Sequence, residues 1–106
     1  MARRINPYIY EPMSISFDRA KAKGERNFKK YLRNCGSNFT SRPEVREFVL
    51  KRDGYRCTEC GDSERLEIDH IISVYRVFRD GVDIRKVNHL DNLQTLCKSC
   101  NAKKKP

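Results

Sequence analysis

Two C-x-x-C units constrain this chain more than any other feature: Cys57 with Cys60, and Cys97 with Cys100, separated by residues 61–96. A two-residue spacer lets both sulfurs of one turn face the same ion, so two units can form a closed tetrahedral zinc site. A redox pair or a disulfide is the alternative, but one redox motif does not explain two units. The fifth cysteine, Cys35, has no partner in the sequence, and we interpret it as a spare thiol.

The composition explains why such a chain needs a metal ion. Its 106 residues suffice for one domain, of which 38% are hydrophobic and none is Trp, and the mean hydropathy is -0.82. A chain this polar buries only a thin core. Binding of a structural zinc supplies roughly 10 to 16 kcal/mol, comparable with the whole stability of a small domain. We therefore expect zinc to replace part of the missing core.

The charge indicates the kind of partner. Lys and Arg number 23 and Asp and Glu 14, giving a formal charge of +9, which favours a polyanion and nucleic acid first. No apolar run approaches the ~20 residues of a membrane span, and the pair Arg3 and Arg4 precedes no apolar signal core. We expect a cytoplasmic protein without membrane contact. In that reducing compartment paired cysteines bind metal rather than form disulfides, and an odd count of five agrees.

Residues 1–40 form a basic, weakly patterned N-terminal extension. A helix is predicted over residues 18–33, where Phe28, Tyr31 and Leu32 share a face, although Gly24 lies inside it. The extension is either a solvated segment that packs a few aromatic residues on the domain or an arm that follows phosphates. We weigh these two interpretations evenly.

Stronger local signals begin at Ser41. Ser41, Pro43 and Glu44 predict a capped helix start, with Ser41 as N-cap, and a helix that runs to about Arg52. A strand is predicted over residues 66–73 from its alternating apolar positions. A short helical spacing is predicted ahead of the second C-x-x-C unit, from Leu90, Leu93 and Leu96.

Three segments add to the cysteine pairs: R-D-G-Y-R-C at residues 52–57, L-E-I-D-H-I-I at residues 66–72 and N-L-Q-T-L-C at residues 92–97. In this order, and over about residues 42–105, the chain resembles the zinc-bearing HNH endonuclease family. The resemblance implies a small zinc-stabilised α+β domain with a ββα-metal core over residues 41–106, preceded by the basic extension. We expect its last helix to begin near Asn101 and to carry residues 103–105.

The resemblance also implies roles for four residues. His70 would be the general base, Asp69 and Asn101 would hold a catalytic Mg²⁺ or Mn²⁺, and Asn92 would brace a loop and help to orient His70. Asn101 stands where the family usually has His, which makes this chain an H-N-N variant. An amide oxygen suits hard cations, so the catalytic site should favour Mg²⁺ or Mn²⁺.

Each of these residues also has a structural interpretation. His70 fits a satisfied histidine on a half-buried strand, Asp69 a solvated carboxylate, and Asn92 and Asn101 helix caps. Strict strand alternation would also send Asp69 and His70 to opposite faces, unless the strand ends or twists there. His89, in the loop before Asn92, is a secondary candidate for the site.

The predicted function is a metal-dependent DNA endonuclease that nicks double-stranded DNA with weak sequence specificity. The alternatives are a catalytically silent zinc module that binds nucleic acid and a protein-interaction zinc domain. Because one active site cuts one strand at a time, double-strand cleavage would need a homodimer, a larger complex or two encounters. The predicted contacts with nucleic acid come from five basic residues: Arg52, Arg56, Lys98, Lys103 and Lys104.

Overall fold

A computed structural model of the chain describes Tyr8 and residues 14–104, with the backbone alone for residues 14 and 15. Arg3, Arg4 and Lys105 lie outside the described residues. No helix in the described part combines the length and apolar character that crossing a bilayer requires. The elements are α1 (Ser14–Ala22), α2 (Glu25–Thr40), α3 (Pro43–Arg52), β1 (Leu66–His70), α4 (Tyr75–Asp80), α5 (Ile84–Val87), a 3-10 turn (Leu90–Asn92), β2 (Leu93–Cys97) and α6 (Lys98–Lys103).

The centre of the fold is an antiparallel pair of strands followed directly by a helix. β1 pairs with β2 in a register that joins Leu66 to Cys97 and His70 to Leu93. Helix α6 begins at Lys98, directly after the last residue of β2. The α+β fold with a ββα unit, expected from the resemblance, is therefore confirmed. The helical spacing predicted from Leu90, Leu93 and Leu96 is wrong, because Leu93 and Leu96 lie on β2.

A strand reverses its side chains at each residue, so Leu93 and Leu96 point to opposite faces. Leu93 packs with Phe39 and Val45, whereas Leu96 packs with the cysteines. Both faces of β2 are therefore covered by other residues. Two leucines three positions apart can then both be buried on a strand, one on each face. Burial on both sides explains why the pattern resembled a helix.

The helix predicted over residues 18–33 is two helices. Gly24 lies between them with φ +106°, a left-handed conformation that cannot continue a helix. α2 then continues through the core. Phe28 and Leu32 pack with Val77, while Phe39 packs with residues of α3 and β2. The buried face of α2 therefore packs against the rest of the fold, as the first interpretation of the extension expected for its aromatic residues, while the arm interpretation stays a prediction.

Helix α3 ends at Arg52 as predicted, but Ser41 is not its N-cap. Arg42 holds that position without a side-chain bond, and the N–H of Ser41 donates to the carbonyl of Ser37 at the end of α2. α2 extends to Thr40, so Ser41 ends one helix instead of starting the next.

Two other boundaries also differ from the predictions. β1 begins at Leu66 but ends at His70, because the N–H groups of Ile71 and Ile72 donate to Asn92 instead of to a strand. α6 begins at Lys98, ahead of Asn101, and its N-cap is the thiol of Cys97.

An ion pair joins α3 to the strand pair. The guanidinium of Arg52 donates to the carboxylate of Asp53 at 2.9 Å and to the carbonyls of Leu90 and Leu93. Asp53 in turn accepts from the N–H of Thr95 at 2.9 Å. Burial alone would raise the pKa of Asp53, but the bonds from Arg52 and Thr95 outweigh it and hold the pKa below its ordinary value.

Replacing Asp53 with Asn should lower the free energy of unfolding at pH 7 by about 1 to 3 kcal/mol, since a charged acceptor is lost. Because the folded-state pKa is depressed, the carboxylate's contribution is fully present above the unfolded-state pKa and is lost only as the pH falls through the folded value. Urea denaturation followed by circular dichroism measures the change. Asp18→Asn, on the exposed side of α1, is the control. Equal stability of the two variants would contradict the structural role of this ion pair.

Candidate functional site

The four cysteines of the two C-x-x-C units meet in space. Their sulfur atoms all lie within 4.8 Å of one another, and the Sγ atoms of Cys60 and Cys97 are 3.7 Å apart. A tetrahedral zinc with Zn–S bonds of about 2.3 Å has sulfur atoms roughly 3.8 Å apart. The cluster can therefore hold a metal ion such as zinc. Cys35 is buried on α2, outside the cluster.

The environment shifts the cysteine pKa values in different directions, lowering that of Cys57 and raising those of Cys60 and Cys100. Burial raises the pKa of Cys57, but backbone N–H donors, first those of Cys60 and Cys97, outweigh it and lower the pKa to about 6. The pKa of Cys100 is raised to about 12, first because its thiol is hydrogen-bonded to Cys97 and Cys60. Ligation of a metal ion by all four sulfurs must release thiol protons, so metal affinity should fall in acid.

A second group of polar side chains lies between β1 and α6. Glu67 and Asp69 are two residues apart on β1, so they share one face. On α6, Nδ2 of Asn101 donates to Oε1 of Glu67 at 2.8 Å. Because the amide nitrogen is the donor, the amide oxygen of Asn101 is the atom available as a metal ligand.

The carboxylate of Asp69 already has two partners. Nζ of Lys104 lies 2.7 Å and Nε2 of Gln94 3.1 Å from its Oδ2, and Lys104 also donates to the carbonyl of His70. The ion pair is mostly buried, with side-chain exposures of 24% for Lys104 and 15% for Asp69. Lys104 therefore has an internal partner, and a cation bound by Asp69 must share the carboxylate with it.

The imidazole of His70 lies on the opposite face of β1. Its Nε2 is 2.8 Å from Oδ1 of Asn88, and a Cβ added at Gly36 of α2 would lie 3.2 Å from its Cε1. Among the described residues no hydrogen bond joins this ring to Asp69 or Asn101. Strict alternation therefore holds up to the end of β1, and the carboxylate and the imidazole leave the strand in different directions.

Burial lowers the pKa of His70 below its ordinary value. The bond to Asn88 and the charge of Asp69 oppose this effect, whereas the ammonium of Lys104 adds to it. The neutral imidazole is thus the favoured form near pH 7.

Asn88 is a polar partner that the sequence patterns did not indicate. It follows α5, is only 2% exposed, and its Nδ2 is buried without a partner among the described residues. The sequence offers one indication of this role, the position of Asn88 next to Val87, which is buried. A polar side chain that is buried with apolar neighbours usually has a hydrogen-bond partner.

Asn92 is hydrogen-bonded to the loop after β1, and its role in orienting His70 stays a prediction. Its Nδ2 donates to the carbonyls of Val87 and Ile72, and its Oδ1 accepts from the N–H of Ile72. The ring of His70, however, is contacted by Asn88, so Asn92 reaches it only through the loop.

The remaining predicted residues lie apart from these groups. His89 is exposed, and its Nδ1 accepts from the N–H of Asp91 to cap the 3-10 turn. Arg52 is engaged by backbone carbonyls and Asp53, and Arg56 donates to the carbonyl of Gly61 at 3.3 Å. Lys98 and Lys103 are exposed on α6. A contact of these basic residues with nucleic acid stays a prediction.

Comparisons with known proteins agree with this arrangement. A family model described as HNH endonuclease matches residues 57–106, which include the four cysteines, both strands and α6. A protein of Lactococcus phage SK1 named "Probable HNH endonuclease" is 33% identical over 94 residues, covering 87% of this chain and 86% of the relative. No solved structure matches.

The structural ion can be tested with cysteine variants. Cys100→Ser should lose the bound metal and unfold the domain, because removing one thiolate opens a closed site that contributes folding free energy. Cys35→Ala is the matched control, since it removes a buried thiol outside the cluster and should retain metal. Elemental analysis gives the metal content, and circular dichroism gives the fold. Folded wild-type protein without tightly bound metal would contradict this assignment.

Proposed function

This chain belongs to the HNH endonuclease family and is a nuclease, and we propose that it is a metal-dependent DNA endonuclease that nicks double-stranded DNA with weak sequence specificity. The observation that carries the proposal is the group formed by β1 and α6. Glu67 and Asp69 share one face of β1, and Glu67 accepts from Nδ2 of Asn101 on α6. The imidazole of His70, next in sequence to Asp69, leaves the opposite face at the end of the strand, and burial favours its neutral form.

We assign zinc to the four cysteines. Thiolates are soft ligands, and a closed set of four sulfurs matches a structural zinc site. The cytoplasm, where we place the protein, would keep these thiols reduced and available to the ion.

We assign the catalytic cation to Asp69 and Asn101. The carboxylate and the amide oxygen are hard donors, which suit Mg²⁺ or Mn²⁺. When bound, such an ion supplies charge stabilisation at the phosphate and at the leaving 3′ oxygen. Glu67 contributes by holding Nδ2 of Asn101 so that Oδ1 is the atom presented.

His70 is the general base in this proposal. Oδ1 of Asn88 can only accept, so Nε2 of His70 carries the proton in that bond and Nδ1 keeps the free lone pair. Nδ1 is therefore the atom that takes a proton from the attacking water. Asn88 fixes the tautomer and the direction of the ring, and Asn92 holds the loop that follows.

Weak specificity follows from the kind of side chains that are exposed. Lys98 and Lys103 on α6 are exposed ammonium groups, which bind phosphates as point charges and lack the planar fork of an Arg side chain. A single site acts on one strand, so nicking is the expected product.

One observation favours the second candidate function, a silent zinc module that binds nucleic acid. The carboxylate of Asp69 is already neutralised by Lys104, which competes with a divalent cation for it. The two functions differ in cleavage and not in binding.

His70→Ala should reduce the nicking of supercoiled plasmid about 10² to 10⁴-fold in Mg²⁺ or Mn²⁺, because the general base is lost, and should leave DNA affinity unchanged. His89→Ala is the matched control, since this exposed histidine only caps a 3-10 turn. Agarose gels give the rates, and gel shifts give the affinities. If wild type and His70→Ala bind DNA equally and neither cuts, the silent module is correct.

Asn101 provides a separate test of the catalytic cation. Asn101→Ala should abolish most of the nicking without changing DNA binding, because a metal ligand is removed while the phosphate-binding lysines remain. Asn101→His should restore a ligand but shift the preferred metal from Mg²⁺ toward Mn²⁺, Co²⁺ or Ni²⁺. Rates measured across these ions decide the question. Full activity of Asn101→Ala in Mg²⁺ would show that Asn101 is not a ligand.

A further inference from the structure

One face of helix α2 carries a row of basic residues and ends at Gly36, next to the proposed general base His70. Arg26, Lys29, Arg33 and Gly36 follow one another at spacings of three, four and three residues, so they share one face of the helix. At the end of this row, Gly36 abuts the ring of His70 and the side chain of Val74. The other three positions carry positive charge, so a line of cations leads along α2 to His70.

These side chains line a groove of about 560 Å³ between α2 and α4. Leu32, Val74 and Phe78 give it an apolar floor, and the ring of Tyr75 is 41% exposed beside them. Nζ of Lys29 lies 4.7 Å from the ring centre of Phe78 and 5.8 Å from that of Tyr75. The aromatic rings thus hold Lys29 in place at the rim.

The charge of the groove is positive. Glu25 is the one acidic residue in its lining, and it pairs with Lys29 at 2.9 Å. Arg26 and Arg33 are exposed and form no ion pair with any residue in the described part of the chain. A cationic rim over an apolar floor is complementary to a sugar–phosphate backbone, whose phosphates are charged and whose deoxyribose faces are apolar.

We propose that this groove binds the DNA strand that flanks the scissile phosphate, an inference that rests on the proposed function. Ten residues of helix separate Arg26 from Gly36, about 15 Å at 1.5 Å per residue. One strand of B-DNA advances about 3.4 Å per phosphate, so the row spans about four nucleotides. α2 lies outside residues 57–106, so this contact is an addition to the segment that the family model matches.

The decisive variant is Arg26→Gln with Arg33→Gln. Each lost phosphate contact weakens DNA binding by up to about tenfold near 0.1 M salt, so the double variant should lose about 10 to 100-fold in affinity. The slope of log affinity against log salt should fall by about 2. Arg19→Gln with Lys23→Gln is the matched control: it removes the same charge from exposed positions that line a separate hollow. We expect less than a threefold loss for the control.

The measurement uses the full chain loaded with zinc, a fluorescent 30-base-pair duplex and anisotropy at several salt concentrations. Equal melting temperatures for the two double variants and wild type ensure that affinity, and not folding, is compared. Each protein in the affinity measurement, including the reference with native α2, carries His70→Ala, so the result does not depend on cleavage. A failure of the proposed function appears as wild-type protein that does not cut, whereas a failure of this inference appears as unchanged affinity.

Cleavage then tests the position of the groove. On an end-labelled duplex, the wild type should cut poorly within about four nucleotides of one end, where the flanking phosphates are missing. The double variant should cut internal sites at the same reduced rate as those end sites. Equal loss of affinity in both double variants, or an unchanged cleavage ladder, would overturn the proposal. Unchanged DNA affinity would do so too, and the groove would then be a surface for another class of partner.

Discussion

The cluster of four cysteine sulfurs brings together two C-x-x-C units that are separated by residues 61–96 in the sequence. The first C-x-x-C unit lies on an exposed turn after α3, and the second joins β2 to α6. Among the described residues, Leu96 and Leu66 pack against the cysteines. The proposed catalytic residues Asp69 and Asn101 sit on β1 and α6, and the distance between these elements is set at one end by the cluster. A metal ion held by the four cysteines would therefore influence the geometry of the proposed catalytic site without contributing a ligand to it.

The sequence was most informative where the chemistry is local. C-x-x-C spacing, the Asp-His pair and the alternation from Leu66 each lie within a few residues, and the structure has the cysteine cluster and β1 where these patterns indicated. The family assignment is confirmed for the same reason, since its motifs are short and ordered. The roles of His70, Asp69, Asn92 and Asn101 stay predictions, although the structure supplies each with specific partners.

What the sequence could not indicate are the contacts between distant segments. Asn88 reaches His70 across 18 residues, Glu67 reaches Asn101 across 34, and Lys104 reaches Asp69 across 35. No periodicity encodes such pairs, because they depend on how β1, α5 and α6 pack. The same cause explains two wrong predictions. At Leu93 and Leu96, burial on both sides of a strand produced an apolar spacing typical of a helix, and Ser41 ends α2 instead of starting α3.

The contact between Gly36 and His70 has a consequence for how binding and chemistry are related. Closely packed atoms cannot be compressed, so a shift of α2 toward the strands by a few tenths of an ångström must move the imidazole or Val74. In the proposed complex, DNA lies along the exposed part of this helix face, and Gly36 at the buried end of the same face connects any displacement of α2 to the imidazole. The proposed DNA contacts on α2 and the proposed general base are thus joined through a single glycine, whose missing side chain allows the helix to approach the ring closely.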